Sequence, residues 1–185
     1  MRGAIAAGHP LTAEAGARVL AAGGNAVDAL LAAALTAFVA EGPLTGPAGG
    51  GFLLVREPAG EAVVLDCFFA VPRRPLGEME SVVIDFADAG RQVFHVGPGA
   101  VAVPGLLAGL EEAHRRFASR PWEELAAPAV ALAAEGVPCD PPRAFLHRIL
   151  APVLLREEAG RRVYGRPERV TTGELRATLE RVRDA

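Results

Sequence analysis

The side chains able to do chemistry are scattered along this chain. His9, His95, His114 and His147 form no HExxH and no pair at ligand spacing, so no metal site and no cofactor are expected, and His114 and His147 read as residues of solvated helix faces. His9, beside a proline, reads as a hydrogen-bonded structural residue. Cys67 and Cys139 make no CxxC and read as two unpaired buried thiols. Ser81 and Ser119 lack a GxSxG context. Thr171-Thr172 invites comparison with an amino-terminal threonine nucleophile freed by self-cleavage, whose new α-amine would serve as base. The same residues stand at capping-box spacing from Glu174, and cleavage there would release only one helix, so a helix cap is the expectation. Asp66, at a strand end, is the most site-like carboxylate, with a turn-capping role as the plainer reading.

The elements that must hold these residues are legible from periodicity and punctuation. Arg2 to Ala7 reads as a short strand, and Pro10 can pre-set the first turn of a helix running to Ala22, stopped by Gly23-Gly24. Asn25 is a candidate N-cap with Asp28 three residues on, opening a helix that is apolar nearly all round and must be covered by protein. Between this helix and the run Phe52 to Val55 lie the glycines Gly46 to Gly51. The order helix, glycines, strand lacks GK[ST] and GxGxxG, which excludes a nucleotide loop.

FLLVR and AVVLD flank a turn at Glu57 to Glu61 and are expected to pair antiparallel. Ser81 to Phe86, Gln92 to Val96 and Ala100 to Val103 are expected strands. Helices follow over Leu106 to Phe117, Trp122 to Ala134 with a kink or break at Pro128, Arg143 to Leu155 interrupted at Pro152, and from Thr171 to the end of the chain.

With 185 residues, 51% hydrophobic content and a net charge of -3, the chain fits a single soluble domain over 1-185 with a real core, and has no basic excess for nucleic acid. The basic residues are all arginine, which carries no functional reading. The first ten residues show no secretory pattern, so a cytoplasmic location is the expectation. Ala26 to Ala40 contains Asp28 and falls short of the roughly 20 apolar residues of a membrane-spanning helix.

The blocks HPLTAEAG (His9 to Gly16), GGNAVDA (Gly23 to Ala29), GPAGGGFLLV (Gly46 to Val55), Leu65-Asp66 and AVPG (Ala102 to Gly105) together resemble the start of the large subunit of the γ-glutamyltransferase family, the γ-glutamyltranspeptidases, among the N-terminal-nucleophile hydrolases. Weaker similarity continues to LRATL near the end. The resemblance implies an α/β (α+β) chain that supplies outer helices and some strands of a four-layer αββα sandwich, incomplete here. It also implies transfer or hydrolysis of a γ-glutamyl group such as that of glutathione, through an acyl-enzyme on a threonine that begins the small subunit, downstream of these residues. No catalytic residue is therefore expected in this chain, which would be inactive alone and completed by a separate or missing chain, the small subunit. Unpaired sheet edges and apolar helix faces should then favour self-association or a partner.

Family members typically carry an arginine and a glutamate two and three residues after the LD aspartate, the arginine gripping the substrate's α-carboxylate. Here those positions are Phe68 and Phe69. A phenyl ring cannot replace a bidentate, charge-assisted grip on a carboxylate. Asp66, Phe68 and Phe69 are accordingly the substrate-pocket candidates, suited to an apolar acyl group as in the related acylases, with plain core as the alternative for the two phenylalanines. The competing function class is a non-catalytic, degenerate relative that binds or regulates a complete homologue.

Overall fold

The structure is a computed structural model that describes residues 3–74, 76–165, 169–170 and 173–184. In chain order its main elements are α1 (Pro10–Ala21), α2 (Ala26–Ala40), β1 (Phe52–Arg56), β2 (Ala62–Asp66), β3 (Glu80–Asp85), β4 (Arg91–Val96), α3 (Leu106–Phe117), α4 (Trp122–Glu135), α5 (Pro141–Leu154), α6 (Glu158–Tyr164) and α7 (Gly173–Arg183). They form two compact units, one of Met1–Phe69, Pro104–Val137 and Thr172–Ala185, the other of Ala70–Val103 and Pro138–Thr171.

In the first unit α2 is the centre, packed against α1, α3 and α4, while α7 packs on α4. Local chemistry sets its start. The Asn25 side chain accepts the Val27 and Asp28 N–H groups at 2.8 and 2.9 Å, and the Asp28 carboxylate accepts the Asn25 N–H at 2.7 Å, closing a capping box. Leu31, Leu35 and Phe38 are fully buried, and the small side chains of Ala29, Ala32 and Ala33 between them let neighbouring helices approach closely. The hairpin β1–β2 is antiparallel, with Phe52 opposite Asp66 and Leu54 opposite Val64. Period-two alternation therefore sends Leu53 and Val55 into the core, and Phe52 and Leu54 outward.

In the second unit β3 and β4 pair antiparallel around a 3-10 turn, where Asp85 accepts the Ala87 N–H at 2.9 Å and the Arg91 guanidinium at 3.1 Å. Ile84 is fully buried, and α5 packs on β3. Asp140 caps α5 through the Arg143 N–H at 2.9 Å, and a bidentate pair joins Arg156 to Glu80.

Four local expectations need correction. Residues 3–8 form no strand: an Ala- and Gly-rich run has weak strand preference, and no described strand pairs with it. Ala100 to Val103 is reduced to a single bridge of Val103 to Ala70, because Pro98–Ala100 curls into a 3-10 turn. Of the kink or break expected at Pro128, the break is absent: α4 runs through it, since burial of Leu125, Ala126, Ala129 and Val130 on either side outweighs the roughly 3 kcal/mol cost of an interior proline. Pro152 likewise lies inside α5, in its last turn. The expected cap at Thr171-Thr172 falls outside the described residues.

Candidate functional site

The end of β2 places the three pocket candidates. Asp66 Oδ1 accepts the Phe68 N–H at 3.0 Å, so the carboxylate shapes the turn that leaves the strand. Cys67 and Gly51 exchange backbone hydrogen bonds at 3.0 and 3.2 Å, extending the β1–β2 ladder past its regular end. Cys67 is buried, and burial together with the neighbouring Asp66 charge pushes its thiol pKa up, the opposite of an activated nucleophile. Cys139 is only half-buried, and both thiols are free.

Phe68 and Phe69 are not core. They remain 46% and 44% exposed, their ring centroids 3.9 Å apart at 32°. Phe52, 66% exposed, also stacks with Phe68, at 5.3 Å with the planes only 10° from parallel. Phe52 was not singled out by sequence; its outward alternation and its register opposite Asp66 are the signals that place it here. With the exposed Leu54 and Val64, the three rings make an open apolar face of the hairpin.

Two glycine motifs fix where those rings stand. A Cβ on Gly50 would lie 2.7 Å from the Phe69 nitrogen, and a Cβ on Gly105 would lie 2.5 Å from the Phe68 carbonyl oxygen and 2.7 Å from that of Cys67. Only glycine permits such close approach of backbone to backbone. Gly49 O also accepts the Leu106 N–H at 3.2 Å, tying the glycine run to the start of α3. Gly50 and Gly105 thus both lie hard against the Cys67 to Phe69 backbone.

The other polar candidates are structural. Asp28 is fully buried and accepts hydrogen bonds from the Ser119 N–H (2.8 Å), the Ser119 hydroxyl (2.5 Å) and the Arg120 N–H (3.1 Å), in addition to Asn25. Burial alone would raise its pKa, but these bonds more than offset that and hold it below the ordinary carboxylate value. Asn25 Nδ2 donates to Phe117 O at 2.8 Å. The GGNAVDA block is therefore a clamp between the start of α2 and the α3–α4 junction.

His9 Nδ1 accepts the Leu11 N–H at 3.1 Å and caps α1, as expected of a structural residue. His114 and His147 depart from the expected solvated faces. His114 Nε2 lies 2.9 Å from Arg120 O and its ring meets Trp122 edge-on, while His147 is half-buried against Tyr164.

No group of three His, Cys, Asp or Glu among the described residues could hold a metal ion, and no helix among them is long and apolar enough to cross a membrane. Cavities of about 560 Å³, lined by Leu107, His114, Trp122 and Val182 among others, and about 170 Å³, lined by Leu11, Thr36 and Leu132 among others, do not have Asp66, Phe68 or Phe69 in their lining.

The family model for gamma-glutamyltranspeptidase matches residues 12–177. The chain belongs to the γ-glutamyltranspeptidase family. Among its relatives, the acylase ACY 1 proenzyme of Pseudomonas sp. (strain SE83) is 40% identical over 73% of this chain and 25% of its own. The glutathione hydrolase proenzyme of Bacillus subtilis (strain 168) is 36% identical over 75% of this chain and 24% of its own. The γ-glutamyltranspeptidase of Pseudomonas nitroreducens complexed with L-DON superposes with a TM-score of 0.80 at 32% identity, covering 98% of this chain and 54% of that one. The chain therefore spans about a quarter of the length of these curated relatives and about half of the solved chain. The expected fold holds: a mixed helix and strand chain of the N-terminal-nucleophile hydrolase type, present in part.

Proposed function

We propose that this chain is the large-subunit part of a γ-glutamyltranspeptidase-family amide acyl hydrolase or transferase whose acyl pocket is apolar, and that a threonine-bearing small subunit completes it. On this reading the threonine hydroxyl attacks the amide carbonyl, the amine leaves, and water or an amine acceptor takes the acyl group from the threonine ester. The chain's own contribution is one wall of the acyl pocket.

The observation that carries the reading is the exposed Phe68-Phe69 pair, at the positions where the resemblance puts the carboxylate-gripping arginine and its glutamate. A γ-glutamyl α-carboxylate would meet two phenyl rings and the nearby charge of Asp66 there, and would surrender its hydration without a cation in return. An apolar acyl chain gains from the same surface. The 40% identity to an acylase proenzyme supports the choice. The open apolar face on the outer side of the hairpin supports a covering partner, and little or no activity is predicted for the isolated chain.

γ-Glutamyl chemistry, with glutathione as a substrate, is the second reading, favoured by the 36% identity to a glutathione hydrolase proenzyme. The two are separated by co-expressing the chain with a threonine-bearing small subunit and measuring turnover of hexanoyl- and γ-glutamyl-p-nitroanilide. Preference for the hexanoyl compound is expected, and preference for the γ-glutamyl compound would overturn the apolar-pocket reading.

A further inference from the structure

The apolar wall has a shape as well as a polarity. Phe68 makes ring contacts with both Phe52 and Phe69, and the Phe52–Phe68 pair is nearly parallel at 10° and 5.3 Å. Their backbones are placed by three different devices: β1 carries Phe52, the Asp66 carboxylate accepts the Phe68 N–H, and the backbones of Gly50 and Gly105 pass so close to Cys67 to Phe69 that a Cβ on either would collide with it. Rings carried on a backbone placed in this way present faces and edges to whatever covers them. Aliphatic chains gain from such a wall only by burial, whereas a planar ring gains in addition from offset or edge-to-face contact.

Polarity narrows the class further. Asp66 shares the outward side of the hairpin with Phe52, being its cross-strand partner. Along β1 itself the cation on that side is Arg56, four residues along and therefore roughly 13 Å away. Within the hairpin, a carboxylate placed beside Phe52 would meet the Asp66 charge before that of Arg56.

We infer that Phe52 is a specificity-determining residue and that the acyl group is neutral and aromatic, of the arylacetyl class. This rests on the acyl-pocket reading above and names the substrate class of that same site.

The test is the ratio of kcat/KM for phenylacetyl-p-nitroanilide to that for hexanoyl-p-nitroanilide, measured on the chain completed by its small subunit. A ratio of about ten is expected from ring-on-ring contact. Phe52→Leu keeps the apolar area but removes the ring, and Phe52→Ala removes both; each should lower the ratio by about threefold through slower phenylacetyl turnover, with Phe68 and Phe69 keeping the rest of the preference. Because Phe52 is two-thirds exposed, neither variant touches the core.

Equal turnover of the two amides by the wild type, or a ratio unchanged in Phe52→Leu, would overturn the inference while leaving the apolar-pocket reading standing. Turnover confined to γ-glutamyl-p-nitroanilide would remove both. Phenylacetamide must also shift the Phe52 and Phe68 ring resonances by NMR, where hexanamide at the same concentration does not. Absence of that selective shift overturns the inference irrespective of turnover.

Discussion

Replacing Asp28 by alanine should strongly destabilise the first unit. The carboxylate is fully buried and satisfies four donors: the Asn25, Ser119 and Arg120 N–H groups and the Ser119 hydroxyl. A buried donor left without its acceptor costs about 1–3 kcal/mol. The hydroxyl can turn toward other partners and the junction is only partly buried, so the three N–H groups dominate and the loss is about 4 kcal/mol. For a chain of this size that lowers Tm by roughly 8–16 °C. Asp28→Asn keeps one accepting oxygen but turns an amide NH2 toward donors, and should cost about half as much.

The pH dependence has a definite sign. Asp28 has a folded-state pKa below its unfolded value, so its stabilisation is fully present above about pH 4 and is lost as the pH falls through the folded pKa. In denaturant melts the stability difference between wild type and Asp28→Asn should be constant near neutral pH and begin to shrink as the pH falls below about 4. Other carboxylates with lowered pKa values, such as Glu80 and Asp85, act equally in both proteins and cancel in the difference. A Tm change under about 3 °C for Asp28→Ala, or parallel pH curves, would refute the clamp.

Three further outcomes follow from named contacts. Gly105→Ala, at a φ of -115° that any residue adopts, should still cost about 2 kcal/mol and displace the Phe68 ring signals, because its Cβ would press on the Cys67 and Phe68 carbonyls; a melt within 0.5 kcal/mol of wild type would show that the segment yields. Trp122→Phe removes the 2.6 Å hydrogen bond from the indole to Val182 O, and hydrogen exchange across α7 should speed up by about fivefold, matching a loss of about 1 kcal/mol; unchanged exchange would mean that apolar packing alone holds α7. His147 has its pKa lowered by burial and then by Arg143, so its contribution is present above about pH 6.5 and lost below, as the unfolded chain takes up the proton more readily; an NMR titration midpoint at or above the ordinary histidine value would contradict this.

Sequence reading succeeded where the governing physics is local. The bounds of α1, α2 and α3 follow from Pro10, Asn25, Pro104 and the glycines beside them, and the β1–β2 pairing follows from two apolar runs around a short turn. It failed where distant packing decides. The link from Asp28 to Ser119 crosses 91 residues, and the burial that carries α4 through Pro128 is equally non-local. At the site, the missing arginine was visible as Phe68 and Phe69, but the stack with Phe52 becomes visible only with the strand register in hand. The glycine motifs marked the family in sequence; their physical reason, room for the Cys67 to Phe69 backbone, needed coordinates.

The central claim is that Phe68 and Phe69 replace a carboxylate grip with an apolar wall. Its most direct measurement is the ratio of kcat/KM for hexanoyl- to γ-glutamyl-p-nitroanilide in the completed protein, for the wild type and for the double variant Phe68→Arg/Phe69→Glu. The account predicts a wild-type ratio above one that falls by about tenfold to a hundredfold in the variant, the worth of a charge-assisted carboxylate contact. A wild type that already prefers the γ-glutamyl substrate, with a ratio the variant leaves unchanged, would contradict it.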